Sequence, residues 1–322
     1  GTVWQDAKIV TATAAGGAGA ARGGGLVSRT TTSLATLVTG MNSQDGASAA
    51  NSVVTVPGNG LYEFSGFIFD NADATGFEGP ELATVRTAYT NRGATWATTQ
   101  LNMTTRGIQL WTVPADGEYT IRAKGAAGGN PGTYGRGRDI QLTTTLTKGE
   151  VIKILVGQQG RTGAMNSPQG AGGGGTFVVT GTQTPIIVAG GGGGRGASKQ
   201  YINSNANNQT SGNKGGDGSG TNNGDGGAGG GGGGATANYA AGGGGLLSGG
   251  SGLTNVGAGG PFIIGGLGGS GGIYSGVGGN EGGFGGGGAA NSEAGGGGGG
   301  GYSGGGGGYE PSWASGGGGG SF

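Results

Sequence analysis

Apolar residues follow two patterns along this chain. Up to about residue 190 they come in the short runs and alternations that strands make. Tyr119, Ile121 and Ala123 alternate with Thr120, Arg122 and Lys124, which assigns the first three to one face of a strand. Residues 140–147 alternate similarly, and 151–156 are apolar almost throughout, as in a strand covered on both faces. Residues 30–39 are rich in β-branched side chains, 51–56 run into a Pro-Gly turn, and 61–69 are long enough for a core strand. Residues 82–89 and 96–103 have weak helical periodicity and read as strands as well. Thr176–Thr180 and Pro185–Ala189 predict a hairpin closed by residues 181–184. Val-Pro-Ala-Asp-Gly-Glu-Tyr at 113–119 repeats the design of Val-Pro-Gly-Asn-Gly-Leu-Tyr at 56–62, so two related sandwich units, or two copies of one sandwich corner, are expected.

From Gly170 the pattern changes to blocks of glycine separated by spacers, and 71 of the 95 glycines lie after Val156. A conventional core needs apolar side-chain area, which these blocks lack. Collagen is excluded, because there is no strict Gly-X-Y period and only 8 prolines occur. A flexible linker and a packed array of extended helices both accommodate the glycine. The spacers favour the packed array, since they carry Leu246, Leu247, Phe262, Ile263, Ile264, Phe284, Tyr302, Tyr309 and Trp313. In such an array each block is a left-handed, polyproline-II-like helix that exchanges N–H···O=C bonds with several neighbours. The seven-glycine block 295–301 would span about 22 Å.

The fold expected is therefore all-β: jelly-roll-type β-sandwiches with an inserted polyglycine-II helix bundle. Residues 1–25 form an N-terminal strand and linker and residues 26–104 a first sandwich. Residues 105–322 form a glycine-rich domain, with its sandwich at 105–190 and the bundle at 170–322.

Charge is balanced at 16 basic and 16 acidic residues, so no electrostatic footprint for nucleic acid or an anionic membrane appears. No apolar run has transmembrane length. Cysteine and histidine are absent, which excludes Cys and His nucleophiles, Ser-His-Asp triads and His/Cys zinc sites. Gly-x-Gly-x-x-Gly matches recur, but no helix follows them as a dinucleotide fold requires, so no cofactor is expected. Asp217 and Asp225 on glycine turns faintly suggest calcium; solvated turn aspartates are the simpler reading. The better candidates are the polar, aromatic spacers. Lys199, Tyr201, Asn203, Asn205, Asn207 and Asn208 lie in the spacer 197–211, Tyr239 in 236–239, and Tyr309 and Trp313 in 309–313. Tyr and Trp among Asn and Ser suit sugar or protein contacts at low entropy cost. The competing reading is that Tyr239, Phe284, Tyr302 and Trp313 cap the bundle or pack on the sandwich.

Arg106-Gly-Ile-Gln-Leu-Trp-Thr-Val-Pro-Ala-Asp-Gly-Glu-Tyr119, Gly125-Ala-Ala-Gly-Gly129, Ile154-Leu-Val-Gly-Gln-Gln-Gly160 and Gly282-Gly-Phe-Gly-Gly-Gly-Gly288 occur in that order. In them the chain resembles the glycine-rich domain of the anaplastic lymphoma kinase and leukocyte tyrosine kinase ectodomains, over residues 105–322. The resemblance implies a tumour-necrosis-factor-like jelly roll with inserted polyglycine helices in a hexagonal bundle. It does not imply receptor function, because the family's cysteines are missing. Residues 26–100 more loosely resemble a C1q-like sandwich, and polyglycine bundles are also found in distal adhesins of phage tail fibres. The function expected is non-enzymatic recognition at an extracellular, cell-surface or virion location, as an adhesin or receptor-binding tip that meets a glycan or protein receptor. The alternative is a structural subunit that self-associates as a homo-oligomer, trimer or filament.

Overall fold

The computed structural model describes residues 60–64, 66–129, 135–162, 169–196, 202–216, 222–236, 240–271, 279–291, 295–309 and 314–322. It also gives the backbone of short strands between residues 11 and 28 and at 273–274 and 277–278. The strands expected at 30–39 and 51–56 lie outside these residues.

In chain order the elements up to residue 189 are β1 (Thr11–Ala12), β2 (Ala15–Gly17), β3 (Ala20–Arg22), β4 (Gly24–Ser28), β5 (Phe67–Asp70), α1 (Leu82–Asn91), α2 (Ala97–Gln100), β6 (Leu101–Thr105), β7 (Ile108–Thr112), β8 (Gly117–Lys124), β9 (Asp139–Leu146), β10 (Val151–Leu155), β11 (Thr176–Thr180) and β12 (Pro185–Ala189), of which β2 and β3 pair as a separate two-stranded sheet. One sheet has the order β1-β8-β4-β5, with β9 also on β8; the other is β12-β11-β10-β7-β6. The described fold is all-β, with few helices and mostly antiparallel sheets. The 176–189 hairpin forms as its sequence requires. The boundary expected at 104/105 falls at the end of β6, which pairs with β7, and β4 sits between β5 and β8.

The core between the sheets uses the predicted face of β8, where Tyr119, Ile121 and Ala123 are fully buried, against Trp111, Ile152, Ile154 and Val178. Phe64, Phe67, Phe69, Tyr89 and Trp96 close it with ring centroids 4.6–6.0 Å apart, spacings at which aromatic pairs gain beyond area burial alone.

Three expected strands are corrected. Residues 82–89 belong to the helix α1, whose buried residues are Val85 and Tyr89. That i, i+4 pair is a stripe too narrow to stand out, and Thr84, Val85, Thr87 and Thr90 bias the propensity towards strand; packing against the core overrides it. Residues 97–100 form one helical turn, so the strand starts only at Leu101. Among the described residues of 61–69 only Phe67 onward is strand, because Gly66 adopts φ +134°, a conformation that favours glycine.

The second sheet is covered on both faces. Ile108, Leu155, Phe177, Val179 and Val188 point away from the sandwich core and pack on Leu246, Phe262 and Phe284 from the glycine region. Phe177 stacks on Phe262 at 5.0 Å, and Phe284 is fully buried. The chain reverses here repeatedly, three times through a pair of left-handed glycines, Gly229–Gly230, Gly265–Gly266 and Gly285–Gly286.

Beyond these turns the glycine blocks run side by side, held by peptide groups. In 296–301 the N–H donors return to the same neighbour every third residue. Gly296 and Gly299 donate to Ala314 and Gly317, Gly297 and Gly300 to Gly170 and Gly173, and Gly298 and Gly301 to Ala241 and Gly244. The carbonyls of 296, 297 and 298 accept from Gly308, Gly194 and Gly288, and those of 299 and 300 from Gly305 and Gly191. One segment is thus bonded to six others at 2.7–3.2 Å, and its buried peptide groups find the partners that burial demands. Segment 170–175 repeats the rule: Gly170 and Gly173 donate to Arg195 and Gly192, Ala171 and Gly174 to Arg161 and Gln158, and Gly172 and Gly175 to Gly288 and Gly285. At the surface the same period governs exposure, since only Gly224 and Gly227 within 222–227, and Gly233 and Thr236 within 231–236, are buried.

This array is wider than the sequence suggested. Residues 125–129 and 157–161, which extend β8 and β10, belong to it: Ala126 N–H donates to Gly174 O at 2.9 Å and Gly129 N–H to Ala171 O at 2.8 Å. The alanines at 126 and 127 concealed the first of these extensions.

Candidate functional site at the distal end of the glycine region

The two ends of the glycine array differ in chemistry. At the sandwich end the turns are apolar, as above, and Tyr302 stacks on Phe322 at 4.9 Å. At the other, distal end the segments finish among buried polar residues: Gln169, Thr236, Asn280, Asn291 and Ser315. Side chains there supply bonds that a further peptide would otherwise make. Thr236 Oγ1 donates to Gly308 O at 3.2 Å, Asn280 Nδ2 to Gln169 O at 3.0 Å, and Asn223 Oδ1 accepts the Tyr309 N–H at 2.9 Å. Bridges Thr236–Ala240, Ala240–Ala290 and Asn280–Ala290 tie these termini together.

Lys199, Tyr201, Tyr239 and Trp313 lie outside the described residues, but what flanks three of the spacers is described. Arg195 O accepts from Gly170 N–H, Thr236 N–H donates to Ala240 O, and Ala314 N–H donates to Tyr309 O. Gly170, Gly194, Ala240, Gly296, Gly308, Ala314 and Gly316 form one connected patch through Gly316→Gly194, Gly296→Ala314, Gly308→Gly296 and Gly297→Gly170 backbone hydrogen bonds, with the Ala240 methyl beside Gly295 and Gly307. The array therefore brings the described residues that flank 197–201, 237–239 and 310–313 to a single face. Tyr309 itself is half-buried there.

The asparagines divide differently. Residues 202–211 turn back along the side of the array, with Gly318 N–H donating to Asn203 O at 2.8 Å and Ser321 N–H to Gln209 O at 2.8 Å. Asn205 Oδ1 accepts the Arg136 N–H at 2.9 Å. Asn207 Nδ2 donates to Ser211 O at 3.0 Å and to Asn213 Oδ1 at 2.6 Å, while its Oδ1 accepts the Gln209 N–H. Asn213 Nδ2 in turn donates to the carbonyls of Asn203 and Asn205. Asn205 and Asn207 thus brace the spacer, and Asn208 and Ile202 are exposed on it. Asn213 and Asn223 organise the site without having been singled out by sequence; their signal, an Asn at the edge of a glycine block, is shared by many residues here.

A concavity of about 470 Å³ lies where the sandwich meets the array, between residues 72–81, Arg106 and Glu281. Its wall is fixed by Gln158 Nε2, which donates to Gly76 O and Glu78 O at 3.0 and 2.7 Å. Of the acidic residues lining it, Glu78 pairs with Arg106 at 2.6 Å and Glu281 with Arg161 at 3.2 Å, so these two carboxylates are already partnered. Asp225 pairs with Lys214 at 3.0 Å, Asp217 lies outside the described residues, and no acidic group suited to a metal occurs among those described.

The perturbed titrating groups sit in the sandwich. Burial raises the Tyr62 phenol, and burial reinforced by the Asp70 carboxylate raises that of Tyr89. The Asp139 carboxylate, bonded through both oxygens at 2.8 and 2.6 Å, raises the Arg122 guanidinium. Tyr89 hydroxyl donates to Gln109 Oε1 at 2.7 Å and Gln109 Nε2 to Asp70 O at 2.8 Å, a satisfied network inside the core. No helix among the described residues is long and apolar enough to cross a membrane.

No protein-family profile matches the chain. Part of it is similar to the leukocyte tyrosine kinase receptor of Mus musculus, 36% identical over 99 residues, which is 30% of this chain and 11% of the receptor. The relationship is distant and partial, and the chain spans a small fraction of that protein's length.

Proposed function

We propose that the chain is an extracellular, cell-surface or virion-surface recognition protein, non-enzymatic, in which a polyglycine-II bundle on a jelly-roll sandwich displays loops at its distal end. The observation that carries this reading is the three-residue return of the donors in 296–301, as a threefold extended helix requires. A scaffold bonded in this way is stiff, and stiff scaffolds carrying loops are the usual basis of recognition surfaces. The partial similarity to a receptor fits an extracellular setting. The partner class is a cell-surface glycan or protein, met by Tyr201, Tyr239, Tyr309 and Trp313 with Lys199 and Asn208; Asn203, Asn205 and Asn207 act by holding their spacer in shape.

Replacing 198–201, 237–239 and 310–313 by glycine-serine stretches of equal length tests this on glycan arrays and on host cells. Loss of binding at unchanged melting temperature is the expected result, and undiminished binding would refute it. A second reading, a self-associating subunit of a filament, appendage or viral surface, draws on exposed Leu247, Ile264 and Leu267, which are 52%, 76% and 46% exposed. Sedimentation at high concentration separates the two, since a strict monomer excludes the filament.

A further inference from the structure

Asn223 precedes Gly224, and an Asn-Gly pair is the sequence in which an asparagine most readily cyclises, because glycine leaves its own nitrogen unhindered. In this reaction Gly224 N attacks Asn223 Cγ, the Cγ–Nδ2 bond breaks, and the displaced proton leaves with Nδ2 as ammonia. Water then opens the succinimide to aspartate or to isoaspartate, which routes the backbone through one additional methylene.

Every atom involved is held by the array. Gly224 N–H donates to Gly307 O at 2.9 Å, so the attacking nitrogen is occupied. Asn223 Oδ1 accepts the Tyr309 N–H at 2.9 Å. Asn223 Nδ2 rests against Gly216, close enough that a methyl there would lie 2.4 Å away. Asn223 therefore joins three segments, 212–216, 222–227 and 304–309, at the distal end. Cyclisation has to wait until the outer segment opens.

The consequence follows from the three-residue period. Gly224 and Gly227 are the inward positions of this segment and donate to Gly307 and Gly304. An added backbone methylene before Gly224 cannot keep both bonds in register while Tyr309 N–H retains its acceptor. We infer that Asn223–Gly224 is a deamidation site that the closed array suppresses, and whose conversion to isoaspartate irreversibly releases the 222–227 segment and the Tyr309 backbone.

The test is peptide mapping by mass spectrometry on the full chain incubated at mildly alkaline pH, beside a free peptide of residues 219–228. Conversion at Asn223 in the folded chain is expected to be slower than in the peptide by about tenfold or more, the factor set by the free energy of local opening. Gly306→Ala, whose new methyl would lie 1.8 Å from Gly224 O, is expected to accelerate conversion. If that variant does not fold, the wild-type comparison with the peptide stands alone. Equal rates in folded chain and peptide would overturn the suppression. The isoaspartate form, separated chromatographically, should lose amide protection at Tyr309 and Gly224 while 296–301 keep theirs; unchanged protection at Tyr309 would overturn the release. None of these readouts involves a ligand, so failure here is distinguishable from failure of the recognition reading.

Discussion

Gly298→Ala should lower stability by about 3 kcal/mol or more, the upper range for overpacking a filled interior. The methyl would lie 2.0 Å from Gly305 O, a backbone atom that cannot swing aside. Moving Gly305 disturbs its own bond to Gly299 and its acceptance from Gly243, so the strain spreads through three segments. For a chain of 322 residues the melting temperature should fall by roughly 4 °C or more. Gly181→Ala is the matched control. Its methyl would meet only Val151 O, at 3.3 Å, in the turn between β11 and β12, and a change below about 1 kcal/mol is expected. Equal effects at the two positions, read by thermal denaturation, would mean that the glycines are interchangeable and the array is not tightly packed.

Phe284→Ala is expected to cost about 3–5 kcal/mol, the range for removing a buried phenylalanine. Its ring fills the joint between sandwich and array: methyls built on Gly79 or Gly107 would come within 2.7 and 2.3 Å of it. Its N–H donates to Gly76 O and its carbonyl accepts from Gln158 N–H, so the backbone bonds can persist while the ring's packing is lost. Conservative Phe284→Leu should recover a good part of the loss. Denaturation of Phe284→Ala followed in parallel by tryptophan fluorescence and far-ultraviolet circular dichroism should give a lower transition. If the joint alone couples sandwich and array, the two probes should also separate once Trp4 and Trp313 are replaced by phenylalanine, because the remaining Trp96 and Trp111 report on the sandwich core. A variant as stable as the parent would show that the joint carries no energy.

How much of this was legible in the sequence depended on which groups do the holding. Where side chains bury area, the pattern sufficed: Tyr119, Ile121 and Ala123 are inward, and the 176–189 hairpin forms. It failed at α1, where two buried residues in ten give a helix almost no apolar stripe and threonine mimics a strand. In the glycine region side-chain patterning has little to act on. The information there is a count of residues between turns, so the partner of each peptide group could not be read from composition. Phe262, Phe284 and Tyr302 were legible as spacer aromatics, and all three join the cluster on the outer face of the second sheet, so Phe284 and Tyr302 follow the competing reading in which they pack on the sandwich. The split in the 197–211 spacer, with Asn205 and Asn207 turned to the scaffold, depends on Asn213 and Arg136, which are remote in pattern though near in space.

Peptide hydrogen bonds, six segments around one, should make the glycine half rigid. Residue-resolved amide exchange on the native chain tests it most directly. The amides of 296–300 should be among the slowest in the protein, comparable with those of Ile152 and Ile154 in β10, while those facing outward, such as Asp225 and Gly226, exchange quickly. Uniformly fast exchange through 296–300, at the rate of an unstructured peptide, would contradict it.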